Sequence, residues 1–381
     1  MDSKESFRFS YWEQTSFLTQ ADFLIVGAGL TGLQTALKLK ERYPQRSITV
    51  VERGPFSRGA STRNAGFACF GSPTEILEDL ENEDASIVWD TVAKRYQGIC
   101  QLKAKYGPVI DYHSFGGYEL YTEKAILNWV MEALSVLNDS LKRITGQEQV
   151  FEWRNQVPGI RSSFPLIHNR LEGQLHPGRL VKYLERECQS KEIQLLFGMN
   201  IEQIEQEAQC VHLSLANGEV LIAQQVILTT NAFTPDLLPN LAIQAARNQV
   251  LITAPIHNLQ LKGCYHYDRG YVYLRNVGDR LLIGGARHLA KQEENTPKFG
   301  PNQKLLEALE SYLHQWIDLP SQQVVRVAQS WSGIIAQGSE KSPIIEQVGE
   351  RVIVAARLAG MGVALSAQIA EDAVALVRTY E

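Results

Sequence analysis

Three glycines with the spacing G-x-G-x-x-G lie between an apolar run and a segment of helical periodicity, at Gly27, Gly29 and Gly32. In a turn between a strand and a helix, the first glycine permits the tight turn, and the second lets backbone amides approach a pyrophosphate. The third lets the helix pack closely against the strand. Glu52 follows Gly32 by 20 residues, where its carboxylate can accept a hydrogen bond from a ribose hydroxyl. This spacing predicts a site for a dinucleotide without identifying which one.

The elements that must position these residues form a βαβ unit. Residues 22–26 are a short apolar run, typical of a strand that is buried on both faces. Apolar residues with helical spacing follow until Tyr43 and Pro44, and residues 47–51 form a second apolar run that ends at Glu52. The N-terminus of the helix would then face the pyrophosphate with its partial positive charge.

The rest of the chain mixes helices and strands. Amphipathic helices are predicted around residues 88–102, 126–141 and 303–317, and a β-rich block is predicted over 247–288. Asn217-Gly218 is typical of a hairpin turn.

Two further segments favour FAD over NAD. Residues 53–66 are rich in Gly, Ser, Arg and Asn, and a second glycine cluster at 357–365 precedes the last predicted helix. With the first turn, these segments resemble the FAD-dependent amino-acid and amine oxidoreductases. That family includes D-amino-acid oxidase, glycine oxidase, sarcosine oxidase and the γ-glutamylputrescine oxidoreductases. The resemblance runs from about residue 20 to the C-terminus and implies an α/β fold. In such a fold a Rossmann-type FAD-binding domain accompanies a second, mixed β-sheet plus helices substrate domain.

The resemblance also implies the cofactor contacts. The predicted cofactor-binding residues are Gly27, Gly29, Gly32, Glu52, Arg53, Ser61, Thr62, Arg63, Asn64, Gly360, Met361 and Gly362. The helix that starts at 360–362 is expected to point at the flavin and to stabilise the negative charge of its reduced form. We expect the FAD to be non-covalent, because no cysteine follows Cys264 and the loop over 52–70 contains no histidine.

The implied domain organisation is discontinuous. Residues 20–80, 170–240 and 325–381 are predicted to form the FAD-binding domain, and residues 81–169 and 241–324 the substrate domain.

The residues predicted to contact the substrate are Tyr271, Tyr273, Arg275 and Trp331. Because Tyr271 and Tyr273 alternate with Val272, both are predicted to lie on the same face of the sheet. On that face they either contact a ligand or pack against other side chains of the sheet.

Neither the candidate cationic residues nor the Trp-x-Gly turn shows whether the substrate carries a negative charge. Arg275, Arg287 and His288 are each able to bind a carboxylate, but for any one of them a surface or salt-bridge role is the expectation. Relatives that oxidise free amino acids carry an arginine after a Trp-x-Gly turn, whereas the matching position after Trp331 is Ile335. This departure puts simple D-amino-acid oxidase activity in doubt and resembles the γ-glutamylputrescine-type pattern, in which the substrate is an amine without an adjacent carboxylate. Whether the substrate carries a carboxylate remains open.

The implied activity is oxidation of the C–N bond of an amine or amino-acid derivative to an imine, by hydride transfer to flavin N5. Oxidation of a hydroxy or N-alkyl substrate remains an alternative, as does a flavin-binding protein whose catalytic site has degraded. Oxygen and a quinone both remain open as the electron acceptor.

Composition excludes several other classes. The chain has 381 residues, 44% of them hydrophobic and 21% charged, and a net charge of −5 with no basic run. These values favour a globular cytoplasmic enzyme without a nucleic-acid partner. The apolar run before Gly27 is too short to span a bilayer, so no integral membrane segment is expected. The five cysteines are widely spaced and no metal-ligand spacing is present, so neither disulfides nor a metal site are expected.

Overall fold

The computed structural model describes residues 9–319 and 324–378. Its α-helices are α1 (Tyr11–Phe17), α2 (Leu30–Arg42), α3 (Ala60–Arg63), α4 (Pro73–Asn82), α5 (Ala85–Tyr106), α6 (Lys124–Thr145), α7 (Pro177–Ser190), α8 (Gln303–Trp316) and α9 (Gly362–Ala375). Its β-strands are β1 (Ala21–Val26), β2 (Ile48–Glu52), β3 (Phe67–Ala68), β4 (Gly117–Leu120), β5 (Phe151–Arg154), β6 (Leu166–Asn169), β7 (Gly173–Gln174), β8 (Gln194–Phe197), β9 (Ile201–Gln206), β10 (Val211–Leu215), β11 (Val220–Leu228), β12 (Gln244–Thr253), β13 (Cys264–Tyr267), β14 (Val272–Val277), β15 (Arg280–Gly285), β16 (Val327–Gln337), β17 (Ile344–Val348) and β18 (Val352–Ala356).

The described residues form two compact units. Unit 1 consists of those within Met1–Thr62, Leu180–Ala245 and Ile335–Glu381, and unit 2 of those within Arg63–Arg179 and Ala246–Ile334.

This division differs from the predicted domain boundaries in four places. Residues 63–80, 170–179 and 325–334, which were predicted to belong to the cofactor domain, lie in unit 2. Residues 241–245, which were predicted to belong to the substrate domain, lie in unit 1. One reason is that β3 pairs with β7 and that most of β16 extends the sheet of unit 2, so these short segments follow their strand partners.

Unit 1 is built on a largely parallel sheet in the order β17-β18-β11-β1-β2-β8. Strands β18, β11, β1, β2 and β8 run parallel, and β17 is antiparallel at one edge. Strand β18 is buried along its whole length and β1 at every position except Asp22, as continuous apolar runs in a parallel sheet predict. The predicted βαβ unit is present as β1, α2 and β2, with bounds within one residue or so of those expected.

Helices α2 and α9 pack against each other in unit 1. Both are buried along much of their length, and the Gln34 amide donates a 2.6 Å hydrogen bond to the Ser366 hydroxyl between them. The small residues of α9, such as Ala364, Ala367 and Ala370, let the two helices approach closely.

Unit 2 contains an eight-stranded sheet in the order β16-β12-β15-β14-β13-β4-β6-β5. Strands β13, β14 and β15 form an antiparallel meander, and β4 joins β13 in parallel.

The two faces of this sheet differ in chemistry. One face, which we call the apolar face, carries Tyr265, Leu274 and Ile283, and the apolar stripe of α8 packs in the same core. Side chains alternate along a strand, so the intervening residues lie on the opposite face. That polar face carries the side chains of Cys264, His266, Tyr273 and Arg275, where Cys264 lies opposite Arg275 and His266 opposite Tyr273.

Within residues 9–319 and 324–378, no helix combines the length and the apolar character that crossing a bilayer requires.

Candidate active site

The glycine-rich turn of unit 1 has the geometry that its spacing predicts. Gly27 has a φ of +106°, a conformation that residues with a Cβ rarely adopt. A Cβ on Gly32 would lie 1.9 Å from the Gly27 carbonyl oxygen, so only glycine allows this contact between helix and turn. Gly29 is the N-cap of α2 and supplies no capping side chain, and the Leu30 amide is bonded to the Ser61 hydroxyl, so the amides of Thr31 and Gly32 are the ones available to an anion.

Glu52 lies at the end of β2, beside this turn. Its carboxylate accepts hydrogen bonds from the amide of Ala28 at 3.1 Å and from the amide of Gly54 at 2.9 Å. A carboxylate has about four acceptor positions, so these two bonds leave capacity for a ribose hydroxyl.

The loop after β2 is tied to the same turn. The Ser61 hydroxyl accepts a 2.9 Å hydrogen bond from the amide of Leu30, and the Thr62 hydroxyl donates to the carbonyl of Ser57 at 2.7 Å. The guanidinium of Arg53 stacks 3.8 Å from the centre of the Phe233 ring. Arg53, Ser61 and Thr62 therefore lie in unit 1 with the glycine-rich turn.

Arg63 and Asn64 belong instead to unit 2, where they bond locally and to β16. The Arg63 guanidinium donates to the carbonyl of Ser332 at 2.7 Å, and the Trp331 indole donates back to the Arg63 carbonyl at 3.0 Å. The Asn64 side chain accepts from the amide of Gly66 at 2.8 Å. These reciprocal bonds tie the backbone at Arg63 to Ser332 and the Trp331 side chain.

The second glycine cluster lies at the start of α9 in unit 1. Gly360 is exposed with open space around it, Met361 is the N-cap, and Gly362 is the first helical residue. No side chain caps this helix, so its first amides, like those of α2, are available to an acceptor.

Tyr271 and Tyr273 do not share the environment that their alternation predicts. Strand β14 begins at Val272, so Tyr271 lies in the preceding turn, where it is 38% exposed and its ring lies 5.1 Å from that of His288. Tyr273 lies on the polar face, with its ring 5.6 Å from the Phe67 ring. Burial raises the pKa of Tyr273, which keeps its hydroxyl protonated.

Arg275 is buried on the polar face, two residues beyond Tyr273. Its side chain is nearly inaccessible, with the residue 6% exposed, and its Nε has no hydrogen-bond partner. The guanidinium forms no hydrogen bond or ion pair with any described residue. Burial lowers the pKa of Arg275, and the nearby Cys264 and Asp111 act in the opposite direction. The expectation of a surface or salt-bridge role for Arg275 is therefore wrong.

Three other buried arginines in the described chain are paired. Arg95 pairs with Glu75, Arg351 donates to the carbonyls of Ala208 and Gln224, and Arg357 donates to the carbonyl of Ser342. Each of these buried guanidinium groups thus has a partner, as burial of a charge requires.

Arg287 and His288 lie just beyond β15. Arg287 is buried, and its Nη1 makes no hydrogen bond. His288 lies 3.7 Å from an Asp268 carboxylate oxygen, but burial lowers the pKa of His288, which favours the neutral imidazole over a salt bridge. Ile335 is partly buried on β16 and leaves its position without a cation.

Sequence reasoning missed a cluster of ligand-type side chains in unit 2. The side chains of Cys69, Glu172 and His266 converge, with their donor atoms all within 4.8 Å of one another. The three residues come from segments that are distant in sequence, so no local spacing predicts that they meet. The C-x-H pair at Cys264 and His266, on one face of a strand, is the one signal that points to this cluster.

The sequence model of the FAD-dependent oxidoreductase family (DAO) matches residues 22–376. The chain belongs to the FAD-dependent oxidoreductase family. FAD is its cofactor, as predicted, and the chain is an oxidoreductase.

Individual relatives agree with this assignment. The chain is 22% identical over 371 residues to the probable oxidoreductase OrdL of Haemophilus influenzae, which covers 92% of this chain and 81% of that protein. Glycine oxidase from Geobacillus kaustophilus superimposes with a TM-score of 0.75 at 19% identity, covering 94% of this chain and 96% of that one. L-Proline dehydrogenase from P. horikoshii superimposes with a TM-score of 0.73 at 15% identity, covering 94% and 93%. These likenesses confirm the predicted fold class, a Rossmann-type FAD-binding domain with a second domain of mixed sheet and helices.

The residues of unit 1 fit this cofactor. At the α2 N-terminus the amides of Thr31 and Gly32 have no side-chain partner, Gly27 has a positive φ, and Gly32 has no room for a Cβ. Unbonded amides and a glycine-lined turn together suit the pyrophosphate of FAD.

Proposed function

We propose that this flavoenzyme oxidises the C–N bond of an amino acid or amino-acid derivative, and that the substrate carries a carboxylate. The observation that carries this proposal is the buried, unpaired guanidinium of Arg275 on the polar face of unit 2. The sequence leaves two substrate classes open, amines with a carboxylate and amines without one, and this guanidinium favours the first.

A buried guanidinium without a counterion is unfavourable, because burial removes its hydration and nothing replaces it. A carboxylate supplies both the missing negative charge and two acceptors for a bidentate pair. Tyr273 shares the polar face with Arg275, and Trp331 packs in the apolar cluster that includes Tyr273. These side chains offer a substrate an aromatic surface beside the cation.

The names of the structural relatives support the same class. Glycine and L-proline, which two of those names specify, each carry a carboxylate on a carbon bonded to nitrogen. The arginine expected after the Trp-x-Gly turn is absent here, since Ile335 occupies its position. Arg275 therefore supplies the cation from a different strand.

Bound FAD supplies the hydride acceptor, N5 of its flavin ring. The side chains and backbone amides of the protein bind the FAD and orient the substrate. With FAD bound, Glu52 would accept a hydrogen bond from the ribose, the α2 N-terminus would hold the pyrophosphate, and the α9 N-terminus at 360–362 would stabilise negative charge on the flavin. Arg275 fixes the carboxylate, which sets the orientation of the α-carbon and contributes through positioning.

Cofactor binding is tested separately from substrate choice. Gly29→Val would place side-chain atoms against the Ser61 hydroxyl, which lies 2.9 Å from a Cβ at position 29. We expect this variant and Glu52→Ala to purify without flavin. We also infer that the FAD is non-covalent, so acid precipitation should release the yellow colour, and colour retained in the pellet would refute this.

Substrate choice is tested by replacing Arg275 with methionine, which keeps the length and removes the charge. For a carboxylated substrate, kcat/KM should fall by about 100-fold, which corresponds to about 2.7 kcal/mol for a lost charge-assisted pair. Arg275→Lys should recover part of the loss, since a lysine keeps the charge without the bidentate fork. Arg280→Met is the matched control, because Arg280 lies in the same β-hairpin and already has a partner in the Thr253 carbonyl.

The outcomes separate the alternatives. Equal kinetics for the wild type and Arg275→Met would contradict the carboxylate role. Turnover of 2-hydroxy acids but not of amines would favour the hydroxy-substrate alternative. Retained flavin that no substrate reduces would favour a flavin-binding protein with a degraded site.

A further inference from the structure

The Cys69, Glu172 and His266 cluster lies in the interior of unit 2 and has no part in the proposed reaction. Cys69 and Glu172 are 2% and 1% exposed, and His266 is also buried. Strand pairing creates the convergence, because Ala68 lies opposite Gly173 in the β3–β7 pair, and Cys69 and Glu172 are the next residues on either side.

The distance between His266 and Glu172 does not fit a simple buried ion pair. Nε2 of His266 lies 3.4 Å from Oε2 of Glu172, and Nε2 makes no hydrogen bond. A buried ion pair is stable when it is closely hydrogen-bonded, at about 2.7–2.9 Å for charged groups. Two ligands of a tetrahedral zinc ion, at bond lengths of about 2.1 Å, lie about 3.4 Å apart. The observed separation matches the second geometry.

The carboxylate of Glu172 is held in place from the other side. Its Oε1 accepts from the amide of Phe70 at 3.0 Å and from the amide of Gly71 at 3.4 Å, which leaves Oε2 directed at His266. A Cβ on Gly117 would lie 1.8 Å from Oε2, so this strand position has room for the carboxylate only because it is glycine. Outer hydrogen bonds of this kind commonly orient metal ligands.

A second thiol neighbours Cys69 but lies outside the group of three converging donors. The thiol of Cys264 lies beside that of Cys69, and burial together with the neighbouring Cys264 and Glu172 raises the pKa of Cys69. Cys264 and His266 share one face of β13, and the Cys264 thiol donates to the Gly173 carbonyl at 3.3 Å. The thiol of Cys69, the imidazole of His266 and the carboxylate of Glu172 form a donor set that suits a borderline-soft divalent cation.

We propose that Cys69, Glu172 and His266 form a structural zinc site within unit 2. The site joins three places that are distant in sequence. They are the residue after β3, the residue before β7, and strand β13. It does not depend on the proposed substrate, so it can fail while the proposed function stands.

The test is zinc content measured on the flavoprotein, prepared without a polyhistidine tag. The protein is incubated with excess ZnCl₂, passed over a chelating resin, and analysed for zinc and flavin per chain. We expect about one zinc ion per chain in the wild type. Cys69→Ser should retain flavin and lose the zinc.

A second group of ligand-type side chains provides the matched control. Glu207, Cys210 and His212 lie together on the β9–β10 hairpin of unit 1, with the Cys210 sulfur 3.2 Å from the His212 Nε2. Cys210→Ser also removes one thiol but should keep the zinc. If Cys69→Ser fails to fold, which flavin loss would reveal, His266→Asn replaces it.

Three results would overturn the proposal. They are a wild-type protein that retains no zinc, zinc retained by the flavin-containing Cys69 or His266 variant, and equal zinc loss in the Cys69 and Cys210 variants.

Discussion

The two faces of the unit 2 sheet are made from the same strands but carry opposite chemistry. On the apolar face, Leu274 and Ile283 are fully buried and pack in one core with α8. On the polar face, the next residues along the same strands are His266, Tyr273 and Arg275. Alternation along a strand therefore separates stability from chemistry, because one residue in two builds the core and the next is free to carry function.

The difference also shows in how the polar groups are satisfied. In unit 2, Arg247 forms two hydrogen bonds with Glu294, at 3.0 and 2.7 Å, and is fully paired. Arg275 is more deeply buried and has no partner among the described residues. Paired arginines stabilise the fold, whereas an unpaired buried arginine indicates a partner that comes from outside the chain.

The largest expected effect comes from the apolar face. Leu274→Ala removes a side chain that is 0% exposed, so the free energy of unfolding should fall by about 2–5 kcal/mol. Urea denaturation measures the loss. Because Leu274 faces α8, KM for the substrate should stay within experimental error, and a large change in KM would break the proposed separation of the two faces.

The Glu294→Gln variant tests the difference between Arg247, which is paired, and Arg275, which is not. It leaves Arg247 without its charged partner and should cost about 3 kcal/mol at neutral pH. Burial raises the pKa of Glu294, but hydrogen bonds from Arg247, Gln249 and Asn302 outweigh it and hold the pKa below its usual range.

A lowered pKa fixes the sign of the pH dependence. The contribution of Glu294 is present above its unfolded pKa of about 4.3 and is lost as the pH falls through the lower folded value. The stability difference between wild type and Glu294→Gln should therefore shrink on acidification. If the difference in unfolding free energy between wild type and Glu294→Gln grew at low pH, the ionised carboxylate of Glu294 would not be the stabilising form.

Arg275→Met should have a smaller effect on stability, and one of the opposite sign. Removing an unpaired buried charge should raise the free energy of unfolding by about 1 kcal/mol in the absence of substrate. Thermal unfolding of the flavin-loaded variant, with Arg280→Met alongside, checks this. A loss as large as that of Glu294→Gln would mean that Arg275 stabilises the fold.

The smallest effect is expected for Tyr273→Phe. The ring contact with Phe67 is kept and only the hydroxyl is lost, so stability should change by about 0.5 kcal/mol or less. Comparison of kcat/KM with the wild type shows whether the hydroxyl contacts substrate, and a fall beyond about tenfold would assign it a larger role than packing.

Local patterns were enough to predict the framework that binds the cofactor. The turn at Gly27, the strands on either side and α2 follow from short-range spacing, and α8 ends within one residue of its predicted end. Glycine spacing and apolar periodicity report backbone geometry directly, so these predictions needed no tertiary information.

The substrate side could not be predicted in the same way. Whether Arg275 is paired depends on where every acidic side chain lies in the fold, which no local window contains. Cys69, Glu172 and His266 meet through the pairing of β3 with β7 and the course of β13. Tyr271 was placed with Tyr273 because alternation was extended one residue past the true start of β14.

The central claim is that Arg275 selects a carboxylated amine for oxidation by the flavin. The most direct measurement is the anaerobic visible spectrum of the wild-type flavoprotein, recorded on adding amino acids and the amines that correspond to them without the carboxylate. Proline with pyrrolidine, and N-methylglycine with dimethylamine, are suitable pairs. The account predicts that the flavin bands bleach with a carboxylated member and persist with its partner. Equal bleaching by the partner without a carboxylate would contradict it.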